Sequence, residues 1–224
     1  MEISISLDPA IDKNCLEEYL VELDKLDGIS IHCDVMRDDF VGRNAVTTEQ
    51  FEKIMLCTRH PVDVHIMAHS ESVKEISEII HRIGPRSVCR HVEISNVLLE
   101  RLCTKADQPQ LGIAIDWGTQ LETIDQDILE NAILVTIMSV KAGYSGQSFN
   151  LSALEKAMHI RKINPQARII MDGGINPDNF AMVRAAGVDT AVVGSYLFNA
   201  PDRKCALEKI KRANGDKAGG HVTQ

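Results

Sequence analysis

Eight short apolar runs, each followed by an amphipathic stretch, repeat along this chain, and that repetition restricts its fold more than any other feature. The runs that read as strands fall at residues 2–7, 29–36, 61–67, 87–92, 110–115, 133–139, 167–172 and 189–194. Helical patterns lie near 12–26, 47–58, 70–83, 95–104, 121–130, 150–163, 176–186 and 199–213. Unbroken strand-then-helix alternation implies a parallel sheet covered by helices. Eight such units within 224 residues predict a closed α/β barrel, a single (β/α)8 TIM barrel over residues 1–213. A doubly wound open sheet fits less well, because no G-x-G-x-x-G follows the first strand. Residues 214–224 are Gly-rich and polar and are expected to form a disordered tail.

Four polar residues interrupt these apolar strands. His32 and Asp34 lie in I-S-I-H-C-D-V-M, His65 in P-V-D-V-H-I-M, and Asp172 in I-I-M-D-G-G-I. Alternate residues of a strand share a face, so His32, Asp34 and Met36 point one way, as do His65 and Met67. An unpaired carboxylate in an apolar strand is expensive to bury. Two carboxylates and two imidazoles at one end of a barrel suit a single divalent metal, with zinc, iron(II), manganese and cobalt all compatible. Taken singly, each would be a locally satisfied polar residue of the interior; four together favour one shared site. His60, His69, His81, His159 and His221 fall in loops, helical patterns or the tail and read as surface histidines.

Chemistry in such barrels gathers at the C-terminal ends of the strands. Met36, Met67 and Met138 all reach that end in inward phase. Each alone would be core filling, but three together make an apolar lid that keeps water out. Gly173-Gly174 after the seventh strand and Gly194-Ser195 after the eighth occupy the loops where these barrels commonly hold phosphate. The segment Ala142-Gly143-Tyr144-Ser145-Gly146-Gln147-Ser148, after the sixth strand, has the composition of a mobile flap. A metal, two acids and a phosphate grip suit proton transfer beside a carbonyl, with inversion if the acids work on opposite faces.

Composition narrows the partners. A net charge of −8 and 4% aromatic residues argue against nucleic acid. No apolar run approaches the roughly 20 residues that span a bilayer. Six cysteines without a C-x-x-C pair read as reduced thiols of a cytoplasmic protein.

These motifs resemble the ribulose-phosphate 3-epimerase family over residues 2–212. I-H-C-D-V-M resembles its His-x-Asp-x-Met strand, and P-V-D-V-H-I-M its second histidine strand. M-S-V-K-A-G-Y-S-G-Q-S-F resembles its flap, and M-D-G-G-I with V-V-G-S-Y-L-F its phosphate end. The resemblance implies a TIM barrel of the ribulose-phosphate-binding type and an isomerase acting on carbohydrate phosphates. It places the metal ligands on His32, Asp34, His65 and Asp172, and the acid/base pair on Asp34 and Asp172. It places substrate contacts on Ser4, Met36, Met67, Met138 and Gly143, and phosphate contacts on Gly146, Gly173, Gly174, Gly194 and Ser195. His91, in R-H-V-E-I, matches a strand-four histidine of less defined role. A homo-oligomer is implied as well.

The departures sit in loops. Met36-Arg37-Asp38-Asp39-Phe40 stands for the family's Met-Asp-Gly-His-Phe, Val41-Gly42-Arg43-Asn44 for its V-P-N segment, and Ile3 for a proline. Asp116-Trp117 stands for Asn-Pro, and Lys141-Ala142-Gly143 for Asn-Pro-Gly. With a glycine lost at Asp38, the loop after the second strand is expected to take its own path. Solvated charges are the default for Arg37, Arg43, Asp38 and Asp116. The leading reaction is D-ribulose 5-phosphate to D-xylulose 5-phosphate. The alternatives are 3-epimerisation of another ketose phosphate such as D-allulose 6-phosphate, a lysine-dependent aldolase or decarboxylase relative in which only Lys141 is placed to serve, and a non-catalytic sugar-phosphate-binding paralogue.

Overall fold

The computed structural model describes residues 1–69, 80, 83–94 and 109–215. Its eight strands are β1 (Glu2–Ser6), β2 (Ser30–Met36), β3 (Val62–Met67), β4 (Ser87–His91), β5 (Gln110–Ile115), β6 (Leu134–Met138), β7 (Arg168–Asp172) and β8 (Thr190–Val193). They pair in parallel in chain order, and β8 returns to β1 through Ile3 opposite Ala191, closing the barrel. Strand parity divides the interior in two. Ile3, Ile5, Ile31, Cys33, Val64, Ile66, Ile113 and Ile137 point outward and join helix residues such as Leu20, Phe51, Ile160, Phe180 and Leu207 in the main core. Residues of opposite parity, Cys89, Ala114, Leu134, Ile170 and Val192, form a separate cluster inside the barrel. Burial on both faces is why these strands read as nearly continuous apolar runs.

The helices are α1 (Asp8–Asp12), α2 (Leu16–Leu23), α3 (Asp38–Val41), α4 (Thr48–Cys57), α5 (Gln126–Asn131), α6 (Ser152–Ile163), α7 (Pro177–Ala185), α8 (Ser195–Phe198) and α9 (Arg203–Ala213). Local chemistry sets several starts. Thr47 and Gln50 form a capping box for α4, Asn176 and Asn179 another for α7, and Asp202 accepts the Cys205 N–H ahead of α9. The helix expected near 12–26 is the shorter α2, Leu16–Leu23; α1 precedes it, and Asn14, at φ 52°, lies between the two. The pattern near 121–130 is a 3-10 turn, Leu121–Thr123, followed by α5 behind its cap Asp125. The helical patterns at 70–83 and 95–104 lie outside the described residues apart from Ile80 and Ile83, as does the tail beyond Gly215.

The loop after β2 does take its own path. Asp38 starts the single turn α3, and the left-handed position passes to Gly42, at φ 75°. Val46 also has positive φ, 57°, which is costly for a β-branched residue. Arg37 braces this loop: its Nη1 donates to the carbonyls of Met36 at 2.8 Å and of Ala45 and Val46 at 3.4 Å. Arg37 is therefore a structural tie and not a solvated charge. No helix among the described residues is long and apolar enough to cross a membrane. Cys15, Cys33, Cys57, Cys89 and Cys205 are free thiols.

Candidate metal centre and substrate cavity

Strand register assembles the polar cluster. Asp34 lies opposite His65 and Met36 opposite Met67 on β2 and β3, while Met138 lies opposite Asp172 on β6 and β7. His32, Asp34, His65 and Asp172 are all buried, and one ligand atom from each lies within 4.8 Å of the others. His32 Nε2 is 3.3 Å from Asp34 Oδ1 and 3.4 Å from Asp172 Oδ2. His65 Nδ1 is 3.3 Å from Asp34 Oδ1 and 3.8 Å from Asp172 Oδ2. None of these contacts has hydrogen-bond geometry: His32 Nε2, Asp34 Oδ1 and His65 Nδ1 are buried polar atoms without a hydrogen-bond partner. Buried polar atoms normally find partners. Several orphans converging on one point, all of metal-ligand type, fit a divalent cation there. The electrostatics agree. Burial opposes charge on His32, yet Asp34 and Asp172 raise its pKa well above the usual histidine value. Burial likewise opposes charge on Asp34 and Asp172, and the facing imidazoles hold both carboxyls below their ordinary range.

His65 has a second contact away from this point. Its Nε2 is 3.0 Å from His91 Nε2, and the two rings stack with centroids 4.9 Å apart. His91 Nδ1 is 3.0 Å from Glu93 Oε2. The Asp116 N–H and the Thr119 hydroxyl donate to Glu93 Oε1 at 3.0 and 2.5 Å. Burial works against the Glu93 carboxylate, but the His91 bond and these donors lower its pKa to about 2.

Above the cluster opens a cavity lined by Asp34, Asp172, the three methionines Met36, Met67 and Met138, and the glycine loops Gly143, Gly146, Gly173, Gly174 and Gly194, with Ser195. His32 and His65 are not among its lining residues. Gly173 and Gly174 leave no room for a side chain. At Gly173, φ 117°, a Cβ would stand 2.3 Å from Val140 Cγ2; at Gly174, φ 64°, it would stand 2.6 Å from the Phe149 nitrogen. The β6–α6 loop is cross-braced: Gln147 Nε2 donates to the carbonyls of Lys141 at 2.7 Å and Tyr144 at 2.8 Å. The Ser139 hydroxyl anchors its base to the carbonyls of Asp172 and Gly173.

Ser4 is not among the residues lining this cavity; it is fully buried with its hydroxyl unpartnered, opposite Ser30 of β2. The serine at the mouth is Ser6, two residues on and in the same phase. Ser6 donates to Asp34 Oδ2 at 3.4 Å and accepts the Asp8 N–H at 3.2 Å. The I-S-I-S alternation carries both serines, and only depth along the strand separates them.

Asp8 and Arg43 were also missed. Asp8 lines the cavity, and Arg43 grips its carboxylate together with that of Asp12. Arg43 Nε contacts Met36 Sδ at 3.4 Å, and the guanidinium lies over the Tyr144 ring, 5.8 Å from its centroid. One side chain thus ties the loops after β1, β2 and β6 together, so Arg43 is no solvated charge either. Burial and the nearby Asp34 raise the Asp8 pKa to about 7 despite Arg43. His60, expected at the surface, instead places Nε2 3.0 Å from the Leu23 carbonyl, with a side chain only 6% exposed. Asp116 offers backbone atoms, its N–H to Glu93 and its carbonyl to Lys156 Nζ.

The fold and the site define a class: a (β/α)8 barrel enzyme with a metal-type donor cluster and a glycine-lined cavity at the strand C-termini. Comparison with known proteins narrows it. A model of the Ribulose-phosphate 3 epimerase family matches residues 2–198. The ribulose-phosphate 3-epimerase of Helicobacter pylori strain J99 is 31% identical over 188 residues, 81% of this chain and 84% of that protein. The Aquifex aeolicus protein of the same name is 32% identical, over 81% of this chain and 82% of its own. Orotidine 5'-phosphate decarboxylase from Lactobacillus acidophilus shares the fold at 16% identity and TM-score 0.62, over 97% of this chain and 99% of that one. The chain belongs to the ribulose-phosphate 3-epimerase family, and it is an isomerase acting on carbohydrate phosphates.

Proposed function

We propose that this protein inverts C3 of a phosphorylated ketose, interconverting D-ribulose 5-phosphate and D-xylulose 5-phosphate. The observation that carries the reading is the pair of buried carboxylates, Asp34 on β2 and Asp172 on β7, which both line the cavity beside the unpartnered nitrogens His32 Nε2 and His65 Nδ1. His32, Asp34, His65 and Asp172 would hold the metal. A divalent ion bound there supplies Lewis-acid polarisation of the C2 carbonyl. In this reading Asp34 and Asp172 flank C3; one takes its proton and the other returns a proton to the opposite face of the enediolate. Ser6, bonded to Asp34 Oδ2, steadies that carboxylate. Met36, Met67 and Met138 keep water from the carbanionic carbon. Gly146, Gly173, Gly174, Gly194 and Ser195 bring backbone close enough to grip the phosphate. The protein acts in the cytoplasm as a homo-oligomer, which light scattering of the purified protein tests.

One observation favours a longer sugar. Asp8 adds a carboxylate to the cavity wall, an acceptor suited to a further hydroxyl, as in D-allulose 6-phosphate.

Proton NMR in deuterium oxide decides between them. With metal-loaded protein and D-ribulose 5-phosphate, the C3 proton should exchange as xylulose 5-phosphate signals grow. Metal binding without exchange would reject the pentulose, and D-allulose 6-phosphate would be tried next.

A further inference from the structure

We infer that His91 and Glu93 are positioning residues that fix the tautomer of His65, so that its Nδ1 presents a bare lone pair to the metal point. This rests on the metal reading above and assigns a task to two residues that touch neither substrate nor metal.

The argument follows hydrogen-bond direction along one chain of atoms. Glu93 is a carboxylate and can only accept. Its Oε1 already receives the Asp116 N–H and the Thr119 hydroxyl, and its Oε2 faces His91 Nδ1 at 3.0 Å. The proton in that contact must therefore sit on His91 Nδ1. A neutral imidazole carries one N–H, so His91 Nε2 is an acceptor. The 3.0 Å contact between the two Nε2 atoms then requires the proton on His65 Nε2. In the neutral ring, the form that binds a metal, this leaves His65 Nδ1 unprotonated, facing Asp34 Oδ1 at 3.3 Å and Asp172 Oδ2 at 3.8 Å. Three acceptors meet there, with His32 Nε2 3.3 and 3.4 Å from the two carboxylate oxygens and in hydrogen-bond geometry with neither, an arrangement that a cation resolves.

The relay is also locked in place. His91 is 3% exposed and stacks on His65, with the Phe40 ring centroid 4.8 Å from its own. Lys156 Nζ holds the carbonyls of Asp116 and Trp117 at 2.8 and 2.7 Å, so the loop after β5 keeps its amide on Glu93. Partners of this kind orient a ligating histidine, and losing one typically weakens metal binding about 10–100-fold.

Glu93→Gln is the sharpest test because it preserves shape and reverses direction. The two donors on the Oε1 side retain the amide oxygen there, which turns the amide NH2 toward His91 Nδ1. His91 must then accept at Nδ1 and donate from Nε2, which forces the His65 proton onto Nδ1, against the metal point. Zinc affinity would be measured by competition with a chromophoric chelator. The expected result is about 10–100-fold weaker binding in Glu93→Gln and His91→Phe, with partial recovery in His91→Gln, which can both accept and donate. Nitrogen-15 spectra of the metal-free protein at alkaline pH should show the His65 proton on Nε2 in the wild type and on Nδ1 in Glu93→Gln. Melting curves identify a variant that fails to fold; His91→Gln and the wild-type spectrum then still decide. Wild-type protein that binds no zinc, cobalt or manganese sinks the metal reading itself. Wild-type binding with unchanged affinity and tautomer in Glu93→Gln overturns the relay alone.

Discussion

The two ends of this barrel both bury charge, and they treat it in opposite ways. At the N-terminal end, Asp63 is met by Arg86 and Arg168, each with two nitrogens, and by the Ser87 hydroxyl. Glu2 takes Arg86 at 2.7 Å, and Arg168 and the Thr190 hydroxyl at 3.1 Å. Two acids face two guanidiniums, and every carboxylate oxygen has a donor. At the C-terminal end two acids face two imidazoles, and His32, Asp34 and His65 keep buried atoms without partners. A saturated ionic cluster holds structure together; an unsaturated one is placed for something that arrives later. Proteins break local rules chiefly at sites of function, at a cost in stability.

The comparison can be broken in several places. The largest effect is expected from Asp34→Asn or Asp172→Asn, which should lower the rate of C3 proton exchange by about 100–10,000-fold. Each should lower the melting temperature of the metal-free protein less than loss of Asp63 does, because each belongs to a cluster with unpartnered atoms; an equal or larger loss in calorimetry would mean that the upper cluster is structural. Asp63→Ala should do the reverse. Taking the buried acid away from two half-buried guanidiniums, which keep only Glu2, costs up to about 3 kcal/mol in urea unfolding, while turnover by the folded protein stays near wild type. Cation binding should affect only the upper end. Zinc at 100 times its Kd should add about 2.7 kcal/mol of stability, an increment that a chelator removes and that His32→Ala abolishes. The smallest effect concerns acid. Burial opposes charge on Asp63, but Arg86 and Arg168 hold its pKa well below the ordinary carboxylate value, and Glu2 is lowered in the same way. A carboxyl with a depressed folded pKa contributes fully above its unfolded pKa, roughly 4, and loses that contribution as pH falls toward the folded one. The contribution of these two carboxyls should be flat above about pH 5 and fall below pH 4, by up to about 1.4 kcal/mol per pH unit for each proton bound. Asp63→Asn should flatten that limb.

The upper cluster was legible from sequence because it is local: His32, Asp34 and Met36 carry their shared face in a period of two, and so do His65 and Met67. The barrel was legible for the same reason, through eight repeats of one pattern. The lower cluster was not. Asp63 stands in phase with His65, but its partner Arg168 is 105 positions away, and Glu2 meets Arg168 across 166. Spacing along the chain does not reveal who faces whom across a closed sheet. Ser4 and Ser6 failed differently: their phase is identical, and only the barrel's depth tells the buried one from the one at the mouth. Arg43 was unreadable because its partners Asp8 and Asp12 come from another loop, more than thirty positions earlier.

The lower cluster also sets an order of events during synthesis. By the time β4 has emerged, Glu2, Asp63 and Arg86 are all present, and the nearer pairing, 23 positions apart, can form. Arg168 arrives only with β7, and Thr190 with β8. A half-made chain therefore holds two acids and one of the two guanidiniums that match them, around an edge that has nothing to pair with. Such an intermediate is a poor resting place, and contacts this distant in sequence form slowly. The last strands bring the missing charge and the missing edge together, so closure of the sheet and neutralisation of its floor become a single late step.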